Sequence, residues 1–417
     1  MADLGRAAAL LRDADVVPIL VAPDADSVLA GGLLGLALRR AGVPWHARFV
    51  PALTRESLLH LPDEAPGQPV VLIGIGGREA PLLDGAGLER VVLVDPRRPR
   101  LTLAKECVTA GGDGDVPCTA ATLAWDLARQ LDARAPALPA LAGLDATGPL
   151  AGGEGLRAQL AEAAEQQGCK AGWVPALPSG PLVERLADSV QPYLPGLGGR
   201  ARAAKRLLEG LGLEAGVPAE TLGEADAGKL ASALTLHVLA SGAPAAACWP
   251  LLEPDLRGPW PGGSARELAA LTGAACGAER PGLALTLALG DARGEPQARP
   301  LAEARAQRLL QALLKLEGDR AAPLPWTAEP DLAADLSLAG SLALRAGAPV
   351  GVLAGPGALH VAAPGASPRL LGQAAWEVAQ GLGGTGSSLG ARAVLEVPAG
   401  RAGEAWELLR ARLEAAA

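Results

Sequence analysis

Short uninterrupted apolar runs alternate with helix-period stretches over the first third of the chain. Residues 16–21 (Val-Val-Pro-Ile-Leu-Val) read as a buried strand, 27–41 as a helix, 47–50 as a short strand, and 70–73 and 91–94 as two further buried strands. Such strands joined by helices predict a parallel α/β sheet. Residues 119–131 read as a helix, and 136–141 lead into Gly143-Leu144-Asp145-Ala146-Thr147-Gly148, a turn-rich element end. Beyond Gly152 the pattern is mainly helical, with apolar residues at i, i+3 and i+4 in 156–164, 201–211 and 265–271. Residues 301–316 read as one long amphipathic helix, closed by the Pro-rich 321–325. After Trp326 the α/β pattern returns, with strands near 350–353 and 393–397 and helices near 369–380 and 403–413. The expected division is an α/β domain over 1–170, a helical insertion and connecting helix over 171–318, and a smaller α/β domain over 319–417.

A chain of 417 residues has room for two or three such domains. Hydrophobic residues make up 49% of it but aromatic ones only 2%, so Leu, Val and Ala must fill the cores. Asn is absent and Met occurs once, which suits a thermophile. Lys and Arg number 37 against 45 Asp and Glu, a net charge of -8, which excludes a strong basic field drawing the protein to nucleic acid or anionic membrane. Any DNA contact must be local. The cysteines at 107, 118, 169, 248 and 276 never come within CxxC spacing, and the histidines at 46, 60, 237 and 360 never pair at helical spacing, which excludes the usual zinc motifs. The N-terminal residues read into an amphipathic helix and no apolar run reaches about 18 residues, so a soluble cytoplasmic protein without membrane contact is expected.

The candidate chemistry lies at strand ends. Asp24-Ala25-Asp26-Ser27 follows the first strand and opens a helix, where two carboxylates two residues apart can hold a divalent metal, or where Asp26 or Ser27 can simply cap the helix. Gly74-Ile75-Gly76-Gly77 follows the strand 70–73, and Asp95 closes the strand 91–94, an imitation of the dinucleotide fingerprint. The imitation is incomplete, because Glu79 stands at the third glycine and Pro81 and Gly85 interrupt the helix that should receive the phosphate. A nucleotide-cofactor-binding protein and an ordinary tight turn both remain open readings of this segment.

Taken together, these strand ends resemble the DHH phosphoesterase superfamily, whose motifs run Asp-x-Asp after strand one, strand–Asp–x–Gly, strand–Asp-His-His, and a later Asp near a Gly-rich turn. Asp24 and Asp26 match the first, Gly74-Ile75-Gly76 stands at the second, Asp95-Pro96-Arg97 at the third and Asp145 at the fourth. Gly383-Gly384-Thr385-Gly386-Ser387-Ser388-Leu389-Gly390-Ala391 is similar to the glycine-rich nucleic-acid or phosphate loop of the DHH-associated domain. The segments 186–197 (Leu-Ala-Asp-Ser-Val-Gln-Pro-Tyr-Leu-Pro-Gly-Leu) and 264–277 (Ser-Ala-Arg-Glu-Leu through Ala-Cys-Gly) resemble those of archaeal RecJ-like proteins, so the likeness covers nearly the whole chain. It implies a DHH-type parallel sheet domain, a helical middle region and a smaller C-terminal α/β domain.

The departures fall on the groups that hold metal in that family. Ala22 replaces a His, Gly74 an Asp, and Pro96 and Arg97 the two histidines of the third motif. Proline cannot coordinate a metal, and Arg97 is a permanent cation that would repel one and pair instead with an aspartate. Thr385 or Ser387 stands at the loop histidine, and the strand 359–364 lacks the Ser-x-Arg that grips single-stranded DNA in the family. The resemblance therefore implies no catalytic residue, no metal site and no cofactor, and a role like that of the inactive RecJ-like subunit of the replicative helicase, which joins the GINS complex and the MCM helicase in the CMG complex. Within the helical region, Trp249 and Trp260 lie in Pro/Gly-rich stretches and are candidate partner anchors or core residues. The alternative is an active single-strand-specific 5'-3' exonuclease or small phosphodiesterase, which would need manganese or magnesium.

Overall fold

Five consecutive residues, Val17–Val21, are buried on both faces and form strand β1 of a parallel sheet. The sheet continues with β2 (Trp45–Phe49), β3 (Val70–Ile73), β4 (Arg90–Val94) and β5 (Glu106–Thr109), in the order β2-β1-β3-β4-β5. Every pairing is parallel, with Ile19 opposite Val71 and Val71 opposite Val92. The sequence pattern located the first four of these strands. The computed structural model describes residues 4–59, 61, 66–75, 82–83, 86, 88–96, 106–109, 118–148, 154–172, 175, 177, 180–319 and 322–416.

The helix Ala25–Arg40, which follows β1, is buried from Asp26 to Leu38, because small residues let neighbours approach on several sides. A Cβ on Gly32 would lie 2.6 Å from Ala288 Cβ, and one on Gly35 would lie 2.5 Å from the Trp45 ring. The helices Ala120–Leu131, Leu138–Thr147, Ala265–Gly277 and Pro281–Ala288 share one core with it, in which Leu29, Leu33, Leu127, Leu141, Leu268 and Leu287 are all buried. The turn expected over 143–148 is thus the end of a helix that runs to Thr147.

The chain divides into two units, 1–170 with 256–302, and 171–255 with 303–417. The stretch read as one helical middle region, 171–318, is therefore shared between them: residues 256–302 return to the parallel-sheet unit, since the apolar faces of their helices fit the helices Ala25–Arg40 and Leu138–Thr147. In the second unit, helices Leu182–Ala187, Ala201–Gly210 and Glu224–Ala240 bury Leu186, Leu208, Leu230 and Leu234 against Leu194 and Leu197. The long helix spans Glu295–Gly318. A second sheet has the strand order Thr385–Leu389, Arg392–Glu396, Ala358–Ala362, Val350–Leu353, Trp326–Thr327 and is antiparallel except for its last pair. Leu359, Val361 and Leu395 on one face pack under the helices Pro368–Gly381 and Ala402–Ala416, and Val350 and Val352 pack with Leu332 and Leu336 of the helix Pro330–Ala339. Among the described residues, no helix is long and apolar enough to cross a membrane.

Candidate functional site

In an open parallel sheet, ligands collect beyond the carboxyl ends of the strands, where the chain order reverses. Here that place lies between β1 and β3. The strand ends continue their pairing past the sheet: Ala22 N donates to Ile73 O at 3.0 Å, and Gly74 N donates to Val94 O at 3.0 Å. The ladder thus brings the segments carrying Asp24, Gly74 and Asp95 to one edge, with Asp95 only 2% exposed.

Asp24 caps the helix Ala25–Arg40 from an extended conformation, its Oδ1 accepting from Ser27 N at 3.0 Å and its Oδ2 from Ser27 Oγ at 2.8 Å. The capping role considered for Asp26 or Ser27 therefore belongs to Asp24. Asp26 points elsewhere. Its carboxylate accepts from Ala120 N at 2.7 Å and Ala121 N at 3.0 Å, at the N-terminus of the helix Ala120–Leu131, where unpaired N–H groups and the helix dipole favour an anion. Burial and the adjacent Asp24 charge push the Asp26 pKa up to about 7, against the lowering effect of these hydrogen bonds and of one with the Thr119 side chain. Gly143 closes the other side: a Cβ there would sit 2.3 Å from Ala121 Cβ and 2.7 Å from Asp26 Oδ1.

Gly74 has φ +67, and a Cβ added to it would lie 1.9 Å from Ser27 Oγ and 2.9 Å from Ser27 Cβ. The position that carries an aspartate in the DHH pattern thus has no room for a side chain. Asp145 does not join the cluster either. It lies two residues from Gly143, on the other side of the helix Leu138–Thr147, and accepts from Arg157 Nη2 at 2.8 Å. Pro96 is half-buried just beyond β4, whereas Arg97, the expected internal cation, lies outside the described residues, as does Gly76. The sequence did not single out Arg157, and it offered Ser27 only as a helix cap and Gly143 only as part of a turn; that Ser27 meets position 74 and Gly143 meets Asp26 depends on elements that sequence spacing does not join.

The glycine-rich run near the C-terminus is a strand rather than a loop. Residues Thr385–Leu389 form the edge strand paired with Arg392–Glu396. A Cβ on Gly386 would come within 2.2 Å of Ala375 O, and one on Gly372 within 2.5 Å of Ser388 Oγ, so these glycines seat the helix Pro368–Gly381 against the strand. Gly384 likewise lies against the neighbouring strand, 2.0 Å from Glu396 O for an added Cβ, while Gly383 takes φ +79 at the turn. Thr385 Oγ1 is 3.2 Å from Glu396 Oε2, and Ser387 is half-buried opposite Val394. His360 projects from the strand Ala358–Ala362; burial first and Arg392 second depress its pKa to about 4, opposed by Asp335 and Glu396. Trp260 is half-buried against the core of the first unit, and the side chain of Trp249 lies outside the described residues.

No sequence-family model and no curated protein matches the chain. Solved structures do. RecJ from Thermus thermophilus in complex with Mn2+ superimposes with a TM-score of 0.58 at 17% identity, covering 99% of this chain and 55% of RecJ, so the chain spans about half the length of that protein. An exonuclease RecJ bound to manganese gives 0.53 at 16% identity, over 99% of this chain and 94% of the other. CDC45 from Entamoeba histolytica gives 0.63 at 12% identity, over 99% and 98%. The chain has the RecJ and DHH-domain fold, α/β with a parallel sheet, many helices and a smaller C-terminal sheet.

A manganese ion of the kind held by the two RecJ structures needs several oxygen or imidazole donors turned to one point. Among the described residues, Asp24, Asp26, Asp145 and position 74 do not meet that need. Asp24 is turned to Ser27, Asp26 to a helix N-terminus and Asp145 to Arg157, and position 74 has no space for a carboxylate. Among the described residues, no three His, Cys, Asp or Glu side chains form a group that could hold a metal ion.

Proposed function

We propose that this chain is a non-hydrolytic RecJ-like scaffold of the DNA replication machinery, binding a GINS-type complex and supporting an MCM-type helicase. The observation that carries the proposal is the diversion of three of the four aligned aspartates: Asp24, Asp26 and Asp145 are spent on a helix cap, a helix N-terminus and an arginine. With no ions to activate water or neutralise phosphoryl charge, a RecJ fold retains only its surfaces. The likeness to CDC45 over 99% of this chain supports the assignment to replication.

Two experiments test the reading. Purified protein incubated with end-labelled single-stranded DNA and manganese or magnesium should leave the DNA intact, since losing even one group that acts only in the transition state can remove two to three powers of ten in rate. Affinity purification from native extract should co-elute GINS and MCM subunits. Degradation that disappears in Asp24→Ala and Asp95→Ala would replace the scaffold with the competing reading, a manganese-dependent exonuclease. The likeness to two manganese-bound RecJ structures speaks for that alternative.

A further inference from the structure

We infer that Ser27 closes the place between β1 and β3 to a divalent cation, so that the site is shut by a residue present as well as by residues lost. The inference deepens the non-catalytic reading above and rests on it. Ser27 is 2% exposed, and its N–H and hydroxyl occupy both oxygens of Asp24, at 3.0 and 2.8 Å. The same hydroxyl stands 1.9 Å from where a Cβ at position 74 would be, with Ser27 Cβ at 2.9 Å and Ala22 Cβ at 3.4 Å. An aspartate at 74 would therefore have to expel the hydroxyl, and its charge would then face Asp24.

Removing Ser27 changes this geometry. Ser27→Gly deletes both obstructing atoms and leaves Ala22 Cβ at an easily accommodated 3.4 Å. Backbone strain is a smaller obstacle, because φ is +67 at position 74 and Asp is among the residues that adopt this region most readily. In a Ser27→Gly, Gly74→Asp chain, carboxylates from the ends of β1 and β3 would face one another. Two opposed carboxylates repel unless a hard cation stands between them, which is how oxygen-ligated divalent sites gain affinity.

The test uses four full-length proteins: the unchanged chain, Ser27→Gly, Gly74→Asp and the double variant. Each is unfolded thermally in EDTA and in millimolar manganese, and bound manganese is read by electron paramagnetic resonance. Manganese should leave the midpoints of the first three unchanged and raise that of the double variant by about 2–4 °C or more, with at least tenfold tighter manganese uptake. Manganese uptake by Gly74→Asp alone, or a double variant indifferent to manganese, overturns the inference. Manganese stabilisation of the unchanged chain would instead overturn the non-catalytic reading, so the two failures are distinguishable. Should Gly74→Asp fail to fold, Gly74→Ala takes its place: Ser27→Gly must then recover part of the stability that Gly74→Ala removes, and no recovery overturns the inference.

Discussion

Arg157 Nη2 donates to Asp145 Oδ1 across 2.8 Å, with the two side chains only 12% and 13% exposed. The aspartate that the sequence aligns with a metal-ligand motif thus carries a cation of its own. The role expected of Arg97 is performed for Asp145 by a residue on the helix Glu154–Gln166.

Breaking this pair from one side leaves a largely buried charge uncompensated. Arg157→Ala should lower stability by about 3 kcal/mol, and Arg157→Ala with Asp145→Ala should cost less than the sum of the two single changes. Urea denaturation of the cycle measures the coupling; additive costs would show that the pair contributes nothing.

Gly386→Ala should destabilise the second unit by roughly 1–3 kcal/mol, because the new methyl would be driven toward Ala375 O, at 2.2 Å from its ideal position. The effect belongs to helix–strand packing. Affinity for single-stranded DNA per folded molecule should not change, and a selective loss of DNA binding at unchanged melting temperature would restore the phosphate-loop reading of this segment.

His360 gives the stability a definite acid limb. Its folded pKa, about 4, lies below the ordinary value of 6.5, so between these values the unfolded chain binds a proton that the folded one refuses. Its contribution is complete above about pH 6.5 and is lost as pH falls toward 4. Asp26 acts in the opposite sense, since its folded pKa of about 7 lies above 3.8 and acidification through that range favours the folded state. The difference between the unchanged chain and His360→Gln isolates the histidine: the variant should lose less stability from about pH 7 to about 4.5, and parallel curves would refute the assignment.

Trp260→Ala should act through the core. The ring is half-buried against the first unit and stands 3.0 Å from where a Cβ on Gly290 would be, so truncation should cost about 2 kcal/mol, below the range for a fully buried aromatic. The measurement is the melting temperature alongside partner affinity. A stable variant with at least tenfold weaker GINS binding would return Trp260 to the interface anchors.

Single-stranded DNA should bind weakly. With a net charge of -8, the phosphate contacts available are few, so half-saturation in about 0.15 M salt should need micromolar protein or more, and added salt should weaken binding further. Nanomolar binding that survives about 0.5 M salt would require a dedicated groove.

The sequence by itself determined the strands 70–73 and 91–94 and, within two residues at its start and one at its end, the helix read at 27–41 and found at Ala25–Arg40, because continuous apolar runs and helix-period stretches are local signals that burial only confirms. It also carried the fold, since the order of strand ends, more than any single motif, led to the DHH pattern, and solved RecJ structures share that architecture. The strand Thr385–Leu389 escaped it, as a run of Gly and Ser has little strand propensity and is held by pairing with Arg392–Glu396 and by the helix packed on it. So did the return of residues 256–302 to the first unit, which depends on matching apolar faces far apart in the chain. Only the tertiary structure decided what the aspartates do. Asp24 and Asp26 are two residues apart, yet one side chain turns back along its own helix and the other reaches N–H groups 94 and 95 positions away. At position 74 the sequence shows a glycine, but only the approach of Ser27 shows that nothing larger fits. A residue type fixes which bonds a side chain can make, and the fold fixes which partners come within reach of it.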